Sequence, residues 1–252
     1  RIAELKENEC QIAVEDVMYM SIVHKFSEID VPMIPKLSRC IIDNRIDIWP
    51  SKCRELESIH NLNVQEMIGK HFATVVSLIG NVSMMDGSNR IKIDRLHLGQ
   101  IYASTIIYGY FLKSACLRHQ LELCLAQSHR DLQPEHGNYP SLAELYPSGF
   151  KSVGKSEMCH VRHENLSSYV VGFDTASLQI CARLKSKEAM NLIKKHTWAL
   201  FGGGRIGEGS CANDIVVTLP SLKRLVLEAV TFGAFLWDVE RSVDYVYKLR
   251  EN

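Results

Sequence analysis

Residues 220–249 read PSLKRLVLEAVTFGAFLWDVERSVDYVYKL. Between Leu222 and Val246 the apolar residues do not keep to one side of a helix. Leu222, Leu225, Val226, Ala229, Val230, Phe232, Phe235, Leu236, Val239 and Val243 cover most of its circumference at 3.6 residues per turn. A helix this apolar is a central core helix. Its polar remainder is a narrow stripe of Arg224, Glu228, Thr231, Asp238 and Ser242. Just upstream, residues 215–218 alternate in the manner of a strand. Residues 96–127 predict a second long, mostly apolar helix.

Composition sets the class. The 252 residues are 46% apolar and carry 29 basic and 29 acidic side chains, so the formal net charge is zero. That content supports a packed core. The charge balance argues against a dedicated nucleic-acid binder, and no DNA partner is expected. No run approaches the roughly 18 uninterrupted apolar residues of a membrane span. The eight cysteines follow no regular spacing and include no C-x-x-C, which predicts free thiols rather than a disulfide framework.

Working back to the start, residues 2–27 predict a helix. Val31-Pro32 suits the first turn of a short helix over 33–42. Trp49-Pro50 marks a break. Asn61 is a candidate N-cap for a helix over 62–79, and residues 80–90 read as loop. Ile91-Lys92-Ile93 is a short strand candidate. Residues 128–163, rich in proline, glycine and polar side chains, read as a linker. Helical patterning resumes at 165–172, then at 175–184 with a cap at Asp174 or Thr175. It resumes again at 187–201, capped by Ser186 and ended by Gly202-Gly203-Gly204.

The two ends of the chain follow one plan. Met67-Ile68-Gly69-Lys70-His71 parallels Leu192-Ile193-Lys194-Lys195-His196. Tyr108-Gly109-Tyr110-Phe111-Leu112 parallels Phe232-Gly233-Ala234-Phe235-Leu236, and Phe26 and Leu37 parallel Phe173 and Leu184. The expectation is a mainly α fold of two similar halves in one compact unit, with minor short strands. The first repeat covers 1–127 with an insertion near 38–59, the linker 128–163, and the second repeat 164–252. The long helices are expected to pack about a pseudo-two-fold axis, with Gly109 and Gly233 near their contact.

Several runs resemble a known family. They are Tyr169-Val170-Val171-Gly172-Phe173-Asp174, Leu184-Lys185-Ser186-Lys187-Glu188-Ala189, Ile193-Lys194-Lys195-His196 and Leu200-Phe201-Gly202. Tyr108-Gly109-Tyr110-Phe111-Leu112-Lys113, Glu55-Leu56-Glu57-Ser58-Ile59-His60 and the stretch from Leu222 to Gly233 belong with them. The chain is similar in these to the plant UV-B-induced, chloroplast-targeted proteins that share domain of unknown function 760. The resemblance implies a chloroplast protein of the stroma, imported by a transit peptide absent from this chain, with a link to the UV-B response. It implies no reaction, because the family supplies no catalytic residues to carry over.

No chemical motif is compelling. Gly202, Gly204 and Gly207 spell G-x-G-x-x-G but follow a helix, where a dinucleotide fingerprint follows a strand, so they read as a helix-ending loop. Cys159, His160, His163 and Glu164 could chelate a metal, yet no second pair stands at zinc-site spacing, and no metal or other cofactor is expected. Cys116 and Cys124 share a helix face and read as buried, inert thiols. His71 and His196 read as satisfying carbonyls near helix ends. No catalytic residue can be assigned. A polar pocket between the halves would be lined by Arg224, Glu228, Lys113 and His119. A basic patch of Arg183, Lys185, Lys187, Lys194 and Lys195 suits an acidic protein partner or RNA phosphates.

The expected function is therefore non-enzymatic: binding to, or regulation of, an unknown protein partner. The alternative is a small-molecule binder or enzyme with its site between the halves. The metal expectation has a direct check: elemental analysis of purified protein should find no stoichiometric zinc. About one zinc per chain, lost in Cys159→Ala with His163→Ala, would contradict it.

Overall fold

A computed structural model of the chain describes residues 2–42, 45–83, 90–131, 165–202 and 214–249. The N-terminal part forms α1 (Ile2–Glu28), a 3-10 turn (Leu37–Arg39), strands β1 (Ile41–Ile42) and β2 (Arg45–Ile46), α2 (Cys53–Ser58) and α3 (Leu62–Ser83). Strand β3 (Arg90–Asp94) then leads into the long helix α4 (Arg95–Asp131). After it come α5 (Leu166–Val171), α6 (Thr175–Ala182), α7 (Lys187–Phe201), β4 (Asp214–Thr218) and α8 (Leu219–Tyr247). The protein is mainly helical, as its patterning predicts.

Side-chain caps fix where the helices begin, each satisfying an amide that the helix itself cannot. Asn61 accepts from Val64 N–H, Asn165 from Ser168 N–H, Asp174 from Ser177 N–H and Ser186 from Ala189 N–H. The two long helices start alike. Asp94 ends β3 and accepts from Leu96 and His97 N–H, and Thr218 ends β4 and accepts from Ser221 N–H.

The small sheet has the order β1-β2-β4-β3. β3 and β4 are antiparallel, with Arg90 opposite Thr218, Lys92 opposite Val216 and Asp94 opposite Asp214. Ile91, Ile93, Ile215 and Val217 are buried. From this ribbon α4 and α8 run out packed on each other. Their crossing leaves no room for a side chain: a β-carbon on Gly109 would overlap the carbonyl oxygen of Val230, and one on Gly233 would overlap that of Ile106. Around the pair lie α1 and α2 against α8, and α5, α6 and α7 against α4. Almost all of α8 from Ser221 to Val243 is buried, as its apolar circumference requires.

Three expectations change. The helix proposed over 33–42 is absent: residues 31–36 carry no regular structure, and only one 3-10 turn follows before β1. With Pro32 at the first helical position Pro35 would be the fourth, where its ring removes the first amide that bonds within the helix and clashes with the preceding turn. Second, Cys116 is half-buried and Cys124 exposed. Residues 121–128 are exposed throughout because α4 outruns the helices packed on it. Third, α4 extends to Asp131, past the expected linker start at 128; residues 132–164 lie outside the described part of the chain.

The glycine crossing yields a prediction with an internal control. Gly233→Ala should destabilise the protein by about 1–3 kcal/mol in urea unfolding, because backbone atoms cannot yield to the added methyl. Gly69, exposed in α3 with nothing near its missing β-carbon, should respond oppositely. Gly69→Ala should stabilise by up to about 1 kcal/mol through helix propensity. Equal effects at both sites would remove the close contact from the explanation.

Candidate functional site

Of the residues expected in one polar pocket, Arg224 and Glu228 do meet, but in the core. Arg224 Nη1 lies 2.9 Å from Glu228 Oε2, and both side chains are essentially inaccessible. Glu228 also accepts from Ile34 N–H at 2.9 Å and Tyr102 O–H at 3.2 Å, while Arg224 Nη2 donates to the Pro32 carbonyl at 2.8 Å. The pair thereby ties the proline segment between α1 and the 3-10 turn to α8. Tyr102 O–H is 3.2 Å from His196 Nε2, and the His196 ring stacks on Phe232 at 4.4 Å. Burial raises the Glu228 carboxyl, partly offset by Arg224. Burial holds the His196 imidazole down at about 4.

Lys113 and His119 stand elsewhere. Lys113 Nζ is 3.3 Å from Asp238 and lines a small cleft near the start of α3. His119 is buried and stacked on Tyr169 at 4.6 Å. Nor do His71 and His196 serve helix ends. Each turns towards the core instead: His71 reaches Thr105 at 3.0 Å and stacks on Tyr108 at 4.1 Å. The carbonyls of a helix interior are already bonded within the helix.

The basic patch splits. Lys195 pairs with Glu15 of α1, while Lys187 and Lys194 are exposed on α7. Arg183 and Lys185, from the α6–α7 connection, instead rim a cleft of about 670 Å³ closed by the end of α8. Arg241 joins them. Its guanidinium lies 4.7 Å from the Trp237 ring centroid, and Lys185 Nζ lies 6.0 Å from the same centroid. At the base, Glu240 accepts from Ser186 N–H at 2.8 Å, Ser186 O–H at 2.6 Å and Tyr110 O–H at 2.5 Å. Burial, reinforced by this bond, raises the Tyr110 phenol and keeps it a donor. Asp244, also in the cleft, accepts from Leu249 N–H. Ile180 and Tyr245 are 69% and 92% exposed at the edge.

Sequence reasoning missed Arg241 and Glu240. Arg241 is separated from Arg183 by the whole of α7, β4 and most of α8. Glu240 carried a usable signal: it stands seven residues after Gly233, hence on the same helix face, an acid where the close contact demands burial.

Among the described residues no group of three or more His, Cys, Asp or Glu side chains could hold a metal. Cys159, His160, His163, Glu164, Gly204 and Gly207 lie outside the described residues. Gly202 is described and caps α7. No described helix is long and apolar enough to cross a membrane.

Two comparisons bear on identity. Residues 1–125 match the family model described as "Protein of unknown function (DUF760)". The chain is also 37% identical, over 98% of its length, to a chloroplastic UV-B-induced protein of Arabidopsis thaliana, of which it spans 63%. No solved structure matches the chain.

The buried histidines predict a pH signature. His60, near the cleft of Lys113, is held at about 4 by burial and by Lys113, as His196 is by burial. In the unfolded chain both titrate near 6.5, so between pH 6.5 and 4 the unfolded state binds more protons. Their contribution to stability is intact above pH 6.5 and is lost as pH falls towards 4, by roughly 3 kcal/mol each at the limit. Glu228, raised by burial, acts in the opposite sense. His196→Gln should flatten the acid limb of a urea-midpoint profile. An unchanged limb would place His196 outside the linkage.

Proposed function

We propose that this chain, a DUF760-family protein similar to the chloroplastic UV-B-induced Arabidopsis protein, acts by binding an acidic segment of a protein partner in the α6–α8 cleft. The chloroplastic, UV-B-induced relative supports a chloroplast setting for that work, and we infer the stroma and a role under UV-B stress. The observation carrying the reading is the cleft's rim: Arg183, Lys185 and Arg241 around a base whose carboxylate is already occupied by three donors. Clustered guanidinium groups suit carboxylates, and the neighbouring Ile180 and Tyr245 supply apolar anchors for a peptide. A Glu240 fixed by Ser186 and Tyr110 also presents the cleft without reorganisation. The role is regulatory or scaffolding, with no catalytic step.

We also read the fold as two copies of one unit, each a capped helix, a strand and a long helix. A constant offset of 124 supports this, relating Gly109 to Gly233, Ile106 to Val230 and Lys92 to Val216. Under that offset the observed contacts are reciprocal, as a two-fold axis demands. The stacked pairs His71–Tyr108 and His196–Phe232, and the edge contacts Phe26–Phe235 and Phe173–Phe111, match in kind, with Tyr108 and Phe111 at the same offset from Phe232 and Phe235 but His71 and Phe26 at longer offsets from His196 and Phe173. An experimental structure in which β3–α4 failed to superpose on β4–α8 would overturn it.

For the binding reading, tagged wild-type protein and Arg183→Glu with Arg241→Glu are compared in stromal extracts by quantitative mass spectrometry. One acidic partner should be retained by the wild type and depleted about tenfold or more with the variant, and its capture should weaken as salt rises. Equal recovery with a correctly folded variant would exclude this cleft.

A further inference from the structure

The α4–α8 crossing has two flanks, and they are filled differently. On one, the residue after Gly109 is Tyr110 and the seventh after Gly233 is Glu240; phenol and carboxylate are bonded, and Ser186, the cap of α7, closes the cluster. On the other, the residue after Gly233 is Ala234 and the seventh after Gly109 is Cys116. Asn61, the cap of α3, reaches Cys116 Sγ at 3.5 Å, just as Ser186 reaches Glu240. A methyl and a thiol thus stand where the first flank has a phenol and a carboxylate. The space left is a cleft of about 200 Å³, floored by Gly109, Leu112 and Ala234 and rimmed by His60, Asn61 and Lys113.

Charge defines what the space would accept. Asp238 is the acid among the described lining residues, and it serves two ammonium groups, Lys113 at 3.3 Å and Lys25 at 4.0 Å. His60 bonds Thr231 Oγ1 at 3.3 Å, so its imidazole faces the core. One positive charge is left over beside an apolar floor. An anion with a flat apolar body meets both conditions, and the first flank shows which groups this geometry accommodates.

We propose that the cleft between α3, α4 and α8 binds a small aromatic carboxylate, its ring on Ala234 and Gly109 and its carboxylate at Lys113. The proposal does not depend on a protein segment occupying the α6–α8 cleft.

The probe is 4-hydroxyphenylacetate, which joins the two groups that fill the first flank, titrated into the full chain by calorimetry and amide NMR. Saturable binding at about 1 mM or tighter, with shifts at Asn61, Gly109 and Ala234, is the expected result. Lys113→Met and Ala234→Leu should each weaken it about tenfold or more, with Arg241→Glu leaving it unchanged. Should Ala234→Leu fail to fold, Lys113→Met, at a half-exposed side chain, carries the test. Tyramine, the same ring with an amine in place of the acid, should not bind. Absence of saturation, equal binding of tyramine, or loss of binding in Arg241→Glu rather than Lys113→Met would overturn the proposal.

Discussion

The fold depends on two backbones approaching without side chains between them. At Gly109 the α4 helix meets the carbonyl of Val230, and at Gly233 the α8 helix meets that of Ile106. A glycine in a helix interior costs up to about 1 kcal/mol relative to alanine. Two of them at one crossing make sense because the close approach buries the large side chains on either side. Phe232, Leu236, Ile106 and Leu112 are all inaccessible there. The strands before each helix fix the same geometry from the other end, since the register of β3 on β4 sets how far α4 and α8 slide along each other.

Polar groups inside this core hold the peripheral segments in place. Glu228 and Arg224 reach the backbone at Ile34 and Pro32, and Glu240 reaches that of Ser186. A buried ion pair is weak evidence of net stability, because desolvation offsets its attraction. Here the pair also supplies hydrogen bonds to a proline-containing stretch that forms no helix, so its role is to specify where that stretch lies. The Glu240 cluster does the same for the connection that carries Arg183 and Lys185. Placement of the basic rim is thus a consequence of core chemistry, and its cations converge although their positions along the chain are far apart.

The two flanks of the crossing are filled differently and so take on different properties. Where Tyr110 and Glu240 fill the space, the opening moves outward and becomes a wide, charged cleft. Where Ala234 and Cys116 replace them, a smaller hollow remains with an apolar floor. Neither requires a change in the helices themselves. On the two-copy reading this is divergence by side-chain volume alone.

The sequence by itself determined most of the helices, their caps and the close crossing of the two longest. Helix caps, the period of the apolar residues and a glycine within each long apolar helix are local signals, and each depends on residues within a turn or two. Asn61, Asp174 and Ser186 therefore cap as expected, and Gly109 and Gly233 stand at the contact. One local signal, Pro32, was outweighed by another, Pro35, and the helix expected there does not form. Only the tertiary structure decided which polar groups meet. Arg224 and Glu228 are four residues apart on a helix, so their pairing was legible, but their distance from Lys113 and His119 depended on how the helices rotate about the crossing. Arg241 joins Arg183 and Lys185 because α6, α7 and α8 all pack on α4, and such long-range convergence leaves no periodic trace in the chain.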